Sequence, residues 1–382
     1  MSARAEAAIV VFGAAGLIGR RICTALARAN VPFEIAGRSE VALKKIADEV
    51  PVAHLHLADA SDALSLGRAF AGARVIINAA APLGETAPAV LEAAMMAGAH
   101  YVDVGGEQGV LHALYEQHES TARRAGLVAL PGAGVDAVLG DLAAAWATEH
   151  LLGEAIVERD AVRSIPAERL ASDKPIDEVI TSYVFDDLVL SAGSQRALFA
   201  GSTHRPLVWR RDRWEAGRAG DRRRVNAGPA FGGERDSIGY AGNDVLAVPR
   251  HIAADLVASY VSTTRSAGAA RALGLLARAL PLVPKAVSDV LAPYADPNAD
   301  YSRTKFAVVS QVRRGFSAAQ VVVRGQDLYA TTAAIVTWCA RALATRTSGP
   351  SGMRAPGELF HAAPALRAIS SEAGLVIEPS FG

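Results

Sequence analysis

Cysteine is nearly absent from this chain of 382 residues: Cys23 and Cys339 are its two thiols. They stand far apart, each inside a helical pattern, which excludes a disulfide framework. Neither sign of charge is in excess, with 39 Lys and Arg against 39 Asp and Glu. That balance gives no reason to expect nucleic acid or an anionic membrane surface as a partner. Long apolar runs are missing as well. The most apolar later stretch, 269–293, is broken by Arg271, Arg278, Pro281, Pro284, Lys285 and Asp289, so no membrane span is expected there. The few residues between Met1 and the first apolar run leave no room for a signal peptide, and a cytoplasmic location is expected. No Ser or Cys has a base placed for nucleophilic hydrolysis. His54 and His56 would share one face of a strand without a carboxylate or thiol nearby, and no metal site is expected.

What is present in quantity is apolar residues, 51% of the chain, and 34 glycines. The length points to two domains. The first organising stretch runs from Ala8 to Arg38. Ala8 to Phe12 has no polar face, the pattern of a parallel strand covered on both sides. Gly13, Ala14, Ala15, Gly16, Leu17, Ile18 and Gly19 follow as G-x-x-G-x-x-G, opening a predicted helix. Glycine turns of this kind let a pyrophosphate approach the backbone and present it to the helix N-terminus. The predicted second strand, Pro32 to Ala36, ends in Gly37, Arg38 and Ser39, where NAD-binding chains tend to carry Asp or Glu. A guanidinium there suits the 2′-phosphate of NADP(H), with Ser39 as a further donor.

Strand and helix then alternate. Asp59 ends a third strand, Val52 to Leu57, where it would meet an adenine ring, and Asp62 reads as a helix cap. A fourth strand, Val75 to Asn78, leads into Ala79, Ala80, Ala81 and Pro82, small residues at a strand's carboxyl end where the nicotinamide half would lie. A helix is expected over 85–97 and a fifth strand over 100–104. Tyr101 and Asp103 share one face of that strand. They are the candidate catalytic pair, with Asp103 also a candidate for holding the nicotinamide ribose. Glu107 is read either as a helix cap or as a substrate contact. A sixth strand, 127–130, ends in Pro131-Gly-Ala-Gly-Val-Asp136, with Asp136 either a cap or a pocket group.

From about Ala155 the alternation stops. Glu178 to Phe185, Pro206 to Trp214, Phe306 to Val312 and Ala319 to Arg324 read as strands of a largely antiparallel sheet. Segments 253–259 and 269–290 are expected as helices. Residues 209–224 hold seven arginines, read either as a solvated hairpin or as an anion clamp. Tyr301-Ser-Arg-Thr-Lys305 spells a Tyr-x-x-x-Lys pair, but it runs straight into an apolar strand and is set aside.

Together, Gly13–Gly19, Ala36-Gly-Arg38, Asn78–Pro82, Gly98-Ala-His-Tyr-Val-Asp-Val-Gly-Gly-Glu107, Gly132-Ala-Gly-Val-Asp136 and Gly325-Gln-Asp-Leu-Tyr-Ala-Thr-Thr332 resemble the saccharopine dehydrogenase-like oxidoreductases. The chain departs from them at Ala133-Gly134-Val135, where relatives often have a Phe, and at Val104-Gly105, where many have a Ser. The resemblance implies an α/β fold: a Rossmann doubly wound parallel sheet (1–140), a second, inserted α+β domain (141–325), and C-terminal helices (326–382) packing back on the nucleotide domain. It also implies NADP(H), and an activity such as forming a secondary amine from an imine or reducing an enoyl group. The expectation is hydride transfer from NADPH to a C=N, C=C or C=O bond of a small or carrier-linked substrate, with a homodimer compatible. The rival is a non-catalytic NADP-binding sensor or assembly partner.

Overall fold

The computed structural model describes residues 8–154, 160–191, 193–195, 205–218, 220–263 and 299–381. The apolar stretch 269–293 therefore lies outside the described residues. The chain forms two compact units, one of residues 1–105, 110–134 and 329–354, the other of residues 106–109, 135–328 and 355–382.

Unit 1 alternates β1 (Ile9–Phe12), α1 (Leu17–Arg28), β2 (Phe33–Gly37), α2 (Glu40–Glu49), β3 (Leu55–Leu57), α3 (Ala63–Phe70), β4 (Val75–Asn78), α4 (Leu83–Met96), β5 (His100–Asp103), α5 (Gln108–Arg124) and β6 (Val128–Leu130). The strands form a parallel sheet ordered β6-β5-β4-β1-β2-β3, and Gly352–Met353 adds to its β6 edge. Ile9 stands in register with Phe33 on one side and Val75 on the other. All four residues of β1 are buried, as an unbroken apolar run requires when helices cover both faces. The order reverses at β1, and the carboxyl ends of β1 and β4 flank that switch point, where doubly wound sheets bind ligands.

Local chemistry sets the helix starts. Asp62 accepts from the amides of Leu64 and Ser65 to cap α3, and Ser39 accepts from Ala42 to cap α2. Each such cap contributes about 1 kcal/mol. Both cysteines are buried. Burial raises both thiols, Cys23 to about 12, so they behave as small hydrophobes.

Unit 2 is built on a mixed sheet of β7 (Glu178–Asp186), β8 (Leu207–Arg210), β9 (Arg213–Ala216), β10 (Arg222–Asn226), β11 (Glu234–Tyr240), β12 (Leu256–Ser262), β13 (Lys305–Arg314), β14 (Ser317–Gln326) and Val376–Phe381. Its main path runs β10-β11-β12-β7-β13-β14 and ends on Val376–Phe381, while the β8–β9 hairpin joins β12. Among the described strands of unit 2, only β12 and β7 pair in parallel. Val184, Ala307, Val309 and Val322 pack with Val225 and Phe231 on one face. Helix α6 (Gly140–Leu151) packs along β13 and β14. It begins on glycine because a Cβ there would stand 2.5 Å from the Tyr183 hydroxyl.

Two expectations change here, and the arginine-rich segment takes the hairpin alternative. Segment 253–259, expected as a helix, runs into β12, a central strand whose pairing with both β7 and β11 overrides local propensity. The C-terminal segment divides: 329–354 joins unit 1, while 355–382 belongs to unit 2, whose sheet its last strand extends. The arginine-rich segment is a carboxylate-laced hairpin and strand. Arg210 meets Glu215 at 2.7 Å, Arg223 meets Glu178 at 2.7 Å and Arg224 meets Glu234 at 3.0 Å. As set out above, Tyr301 and Lys305 do not share a helix: Tyr301 opens a 3-10 turn and Lys305 begins β13.

Ile35, fully buried in β2 beside β1, carries a test of unit 1 packing. Ile35→Ala is expected to destabilise unit 1 by about 2–5 kcal/mol, read as a lower urea midpoint.

Candidate functional site

The three turn glycines have different reasons to be glycine. Gly13 sits at φ +80, and a Cβ on it would lie 2.5 Å from the Ala80 amide nitrogen and 2.7 Å from the Ala79 carbonyl carbon. Its own amide donates to Ala36 O at 2.9 Å, tying the turn to the end of β2. Gly19 is pinned from the helix side, where a Cβ would meet Ala14 Cα at 2.8 Å. Gly16 is different. A Cβ there would find only Gly13 O at 3.4 Å and Ala79 O at 3.9 Å, ordinary contact distances. The fold itself does not require glycine at the start of α1. Gly16 has no side-chain cap, so the first N–H groups of α1 are left for an anion.

Arg38 and Ser39 follow β2 on the surface. Ser39 Oγ accepts from Ala42 N at 3.3 Å, a capping bond that leaves its hydroxyl proton for donation. Asp59 accepts from the amide and hydroxyl of Ser61 at 2.9 and 2.7 Å. Those bonds, the backbone one foremost, lower its pKa, with Arg38 adding a smaller pull.

At the end of β4, Asn78 is fully buried. Its Oδ1 accepts from Ala80 N at 3.1 Å, and its Nδ2 donates to the Tyr101 hydroxyl at 3.2 Å. Thr86 donates to Ala80 O at 2.6 Å. The Ala79–Pro82 loop is therefore held from both ends. Tyr101 and Asp103 are buried as deeply. Asp103 Oδ1 accepts from Gly105 N at 2.8 Å and Gly132 N at 2.7 Å, and Asp103 O accepts from Ala133 N at 2.7 Å. Burial raises the Asp103 carboxyl, against the pull of these amides and of the Tyr101 hydroxyl. Its Oδ2 has no partner in hydrogen-bond geometry among the described residues. The Tyr101 phenol is raised well above its ordinary range by burial and by Asp103. Both side chains thus hold turns at the strand ends.

Unit 2 contains polar residues that sequence reasoning did not connect. Gln108, buried, donates to Gly242 O at 2.8 Å and accepts from Leu207 N at 2.7 Å. Asp136 lies in a π-helical turn, Val135–Leu139, and accepts from Asn243 Nδ2 at 2.8 Å. Asp244 accepts from Ser259 at 2.7 Å, and Tyr183, edge-on to Tyr240, donates to Asp136 O at 2.6 Å. Desolvation first, then the charges of Asp244 and Glu107, raise Asp136 to about 7, and desolvation raises Asp244 too. The Asp136 motif was visible in the sequence; Tyr183, Tyr240 and Asp244, scattered over three segments, carried no signal. His56, expected to lack an acidic neighbour, meets the buried Glu34 at 2.6 Å because β3 pairs with β2. Among the described residues no group of three His, Cys, Asp or Glu is arranged to hold a metal, and no helix is long and apolar enough to cross a membrane.

Residues 9–130 match the family model of the saccharopine dehydrogenase NADP-binding domain. Over this segment the chain resembles the saccharopine dehydrogenase-like oxidoreductases. Its cofactor is NADP(H), and the open Gly16 backbone with Arg38 beyond β2 fits that dinucleotide. A Caenorhabditis elegans relative named lipid droplet localized protein is 28% identical over 38% of this chain and 37% of its own length. The human saccharopine dehydrogenase-like oxidoreductase is 23% identical over 38% of each chain. These matches thus span well under two thirds of either relative. The solved saccharopine dehydrogenase (L-Glu forming) of Saccharomyces cerevisiae shares the fold, with a TM-score of 0.64 over 98% of this chain and 99% of its own at 13% identity.

The buried carboxyls of this saccharopine dehydrogenase-like chain make its stability depend on pH. A carboxyl raised in the folded state binds its proton more tightly there than in the unfolded chain. It therefore stabilises below the ordinary carboxylate range, and that contribution is lost as pH rises through the folded value. The wild type is expected to lose stability between about pH 4 and pH 7 more steeply than the Asp136→Asn, Asp244→Asn double variant. Urea midpoints measured across that range check it; equal slopes would contradict it.

Proposed function

We propose that this protein is an NADPH-dependent reductase acting on a C=N, C=C or C=O bond of a small or carrier-linked metabolite. The observation that carries the reading is Gly16: a glycine that packing does not demand, at the uncapped start of α1 and the switch point of the sheet. The dinucleotide, when bound, supplies the hydride. The chain's own residues bind and orient it. The Gly13–Gly19 backbone and the first turn of α1 take the pyrophosphate, Arg38 and Ser39 take the 2′-phosphate, and Asp59 faces the adenine side. Asn78 fixes the loop Ala79–Pro82, which lines the nicotinamide side.

Tyr101 and Asp103 enter as positioning residues, since each is buried and engaged with neighbouring backbone or side chains. Asp103 holds Gly105 and Gly132 in place and Tyr101 braces Asn78, so loss of either loosens the strand ends where the nicotinamide must sit. A cytoplasmic location goes with this reading; the worm relative's name places that protein on lipid droplets.

Hydrogen bonds to a charged group contribute about 1.5–3 kcal/mol. Arg38→Ala is therefore expected to lower the ratio of NADP to NAD affinity by about ten- to a hundredfold, measured by fluorescence titration of both reduced cofactors. An unchanged ratio would contradict the assignment. Turnover of NADPH with any imine, enone or ketone separates this reading from a non-catalytic sensor, for which tight NADPH binding would persist without consumption.

A further inference from the structure

At the amino-terminal end of the unit 1 sheet, basic groups converge. Arg74 immediately precedes β4, His100 opens β5, and Arg346 follows the helix Leu328–Thr345. The chain pins them together: His100 N donates to Arg74 O at 2.8 Å, and Arg74 Nη2 donates to Arg346 O at 3.3 Å. Arg346 uses Nε and Nη2 on Ser348 O, at 3.1 and 3.0 Å. Its Nη1 is buried and has no hydrogen-bond partner among the described residues. Arg354 adds a further positive charge, but its own hydrogen bonds go to Glu119 and Ser351 O.

His100 shows what these charges do. Its Nδ1 accepts from Val128 N at 3.0 Å, so Nε2 carries the proton of the neutral ring and is a donor. Burial, then Arg346, then Arg74 push its pKa down to about 4. Arg346 is itself lowered by desolvation and by Arg354. A helix C-terminus explains one cation at Arg346, but not a second and third, nor a buried guanidinium nitrogen left without an acceptor. A buried donor left without an acceptor is costly to the fold.

We propose that Arg74, Arg346 and the Nε2–H edge of His100 form a binding site for a tetrahedral oxyanion, either inorganic phosphate or the phosphate of a phosphorylated metabolite. Arg74 is exposed and Arg346 and His100 are half-buried, so an anion reaches the site from solvent. The site lies at the opposite end of the strands from Gly13, Asn78 and Asp103, roughly 10 Å away along a four-residue strand. It is therefore separate from the dinucleotide site and does not depend on the reductase reading.

The test follows the His100 imidazole by NMR in the full chain labelled at histidine, with His100→Gln for assignment. Saturating NADP keeps the Arg38 region filled. Inorganic phosphate and glycerol phosphate are each compared with potassium chloride at equal ionic strength. The expected result is a rise of at least tenfold in the proton affinity of His100 with one or both phosphates, lost in Arg346→Gln. A greater effect of glycerol phosphate identifies the metabolite form; a greater or equal effect of inorganic phosphate identifies the free ion. No rise with either phosphate, or the same rise in Arg346→Gln, overturns the site. Should Arg346→Gln fail to fold, the exposed Arg74→Gln carries the same comparison. Failure of NADP to bind would count against the cofactor assignment alone.

Discussion

The backbone of the Gly13 turn lies so close to Ala79 and Ala80 that no side chain fits between them. This contact fixes how the ends of β1 and β4 meet. The turn amide reaches Ala36 O on the other side, so one glycine joins the three strands around the switch point. The first turn of α1 is then aimed at the space above those strands, and Gly19 lets the helix sit down on the turn. An anion-receptive helix start follows from packing before any ligand is considered.

The other strand ends are held by a buried polar frame. Asn78 ties its own loop to Tyr101, and Asp103 gathers the amides of Gly105 and Gly132. Such groups are expensive to bury unless bonded. Asp103 is bonded in this way to the turns that follow β5 and β6, and Tyr101 to Asn78. Unit 2 stores its polarity differently, in carboxyls and tyrosines whose pKa values burial drives upward.

Much of unit 1 was legible because its signals are local. The strand over Val75 to Asn78 and the cap at Asp62 fall where apolar runs and capping chemistry place them. Unit 2 was harder for a physical reason. Its sheet is made by pairings distant in sequence, such as Val257 with Val179, and local pattern cannot distinguish 256–262 as a strand from a helix. The arginines of β8 to β10 find carboxylates as far away as Glu178, information that composition does not contain. The same limit hid Glu34 beneath His56, and Asp244 and Tyr183 near Asp136. Arg74, His100 and Arg346 likewise meet only through the fold.

Glycine at position 16 answers, in this reading, to a dinucleotide rather than to packing. Gly16→Ala tests it most directly, through NADPH affinity measured by fluorescence titration beside the urea midpoint. The variant is expected to keep a midpoint within about 1 kcal/mol of wild type and to bind NADPH at least tenfold more weakly. An unchanged affinity in the folded variant would contradict it.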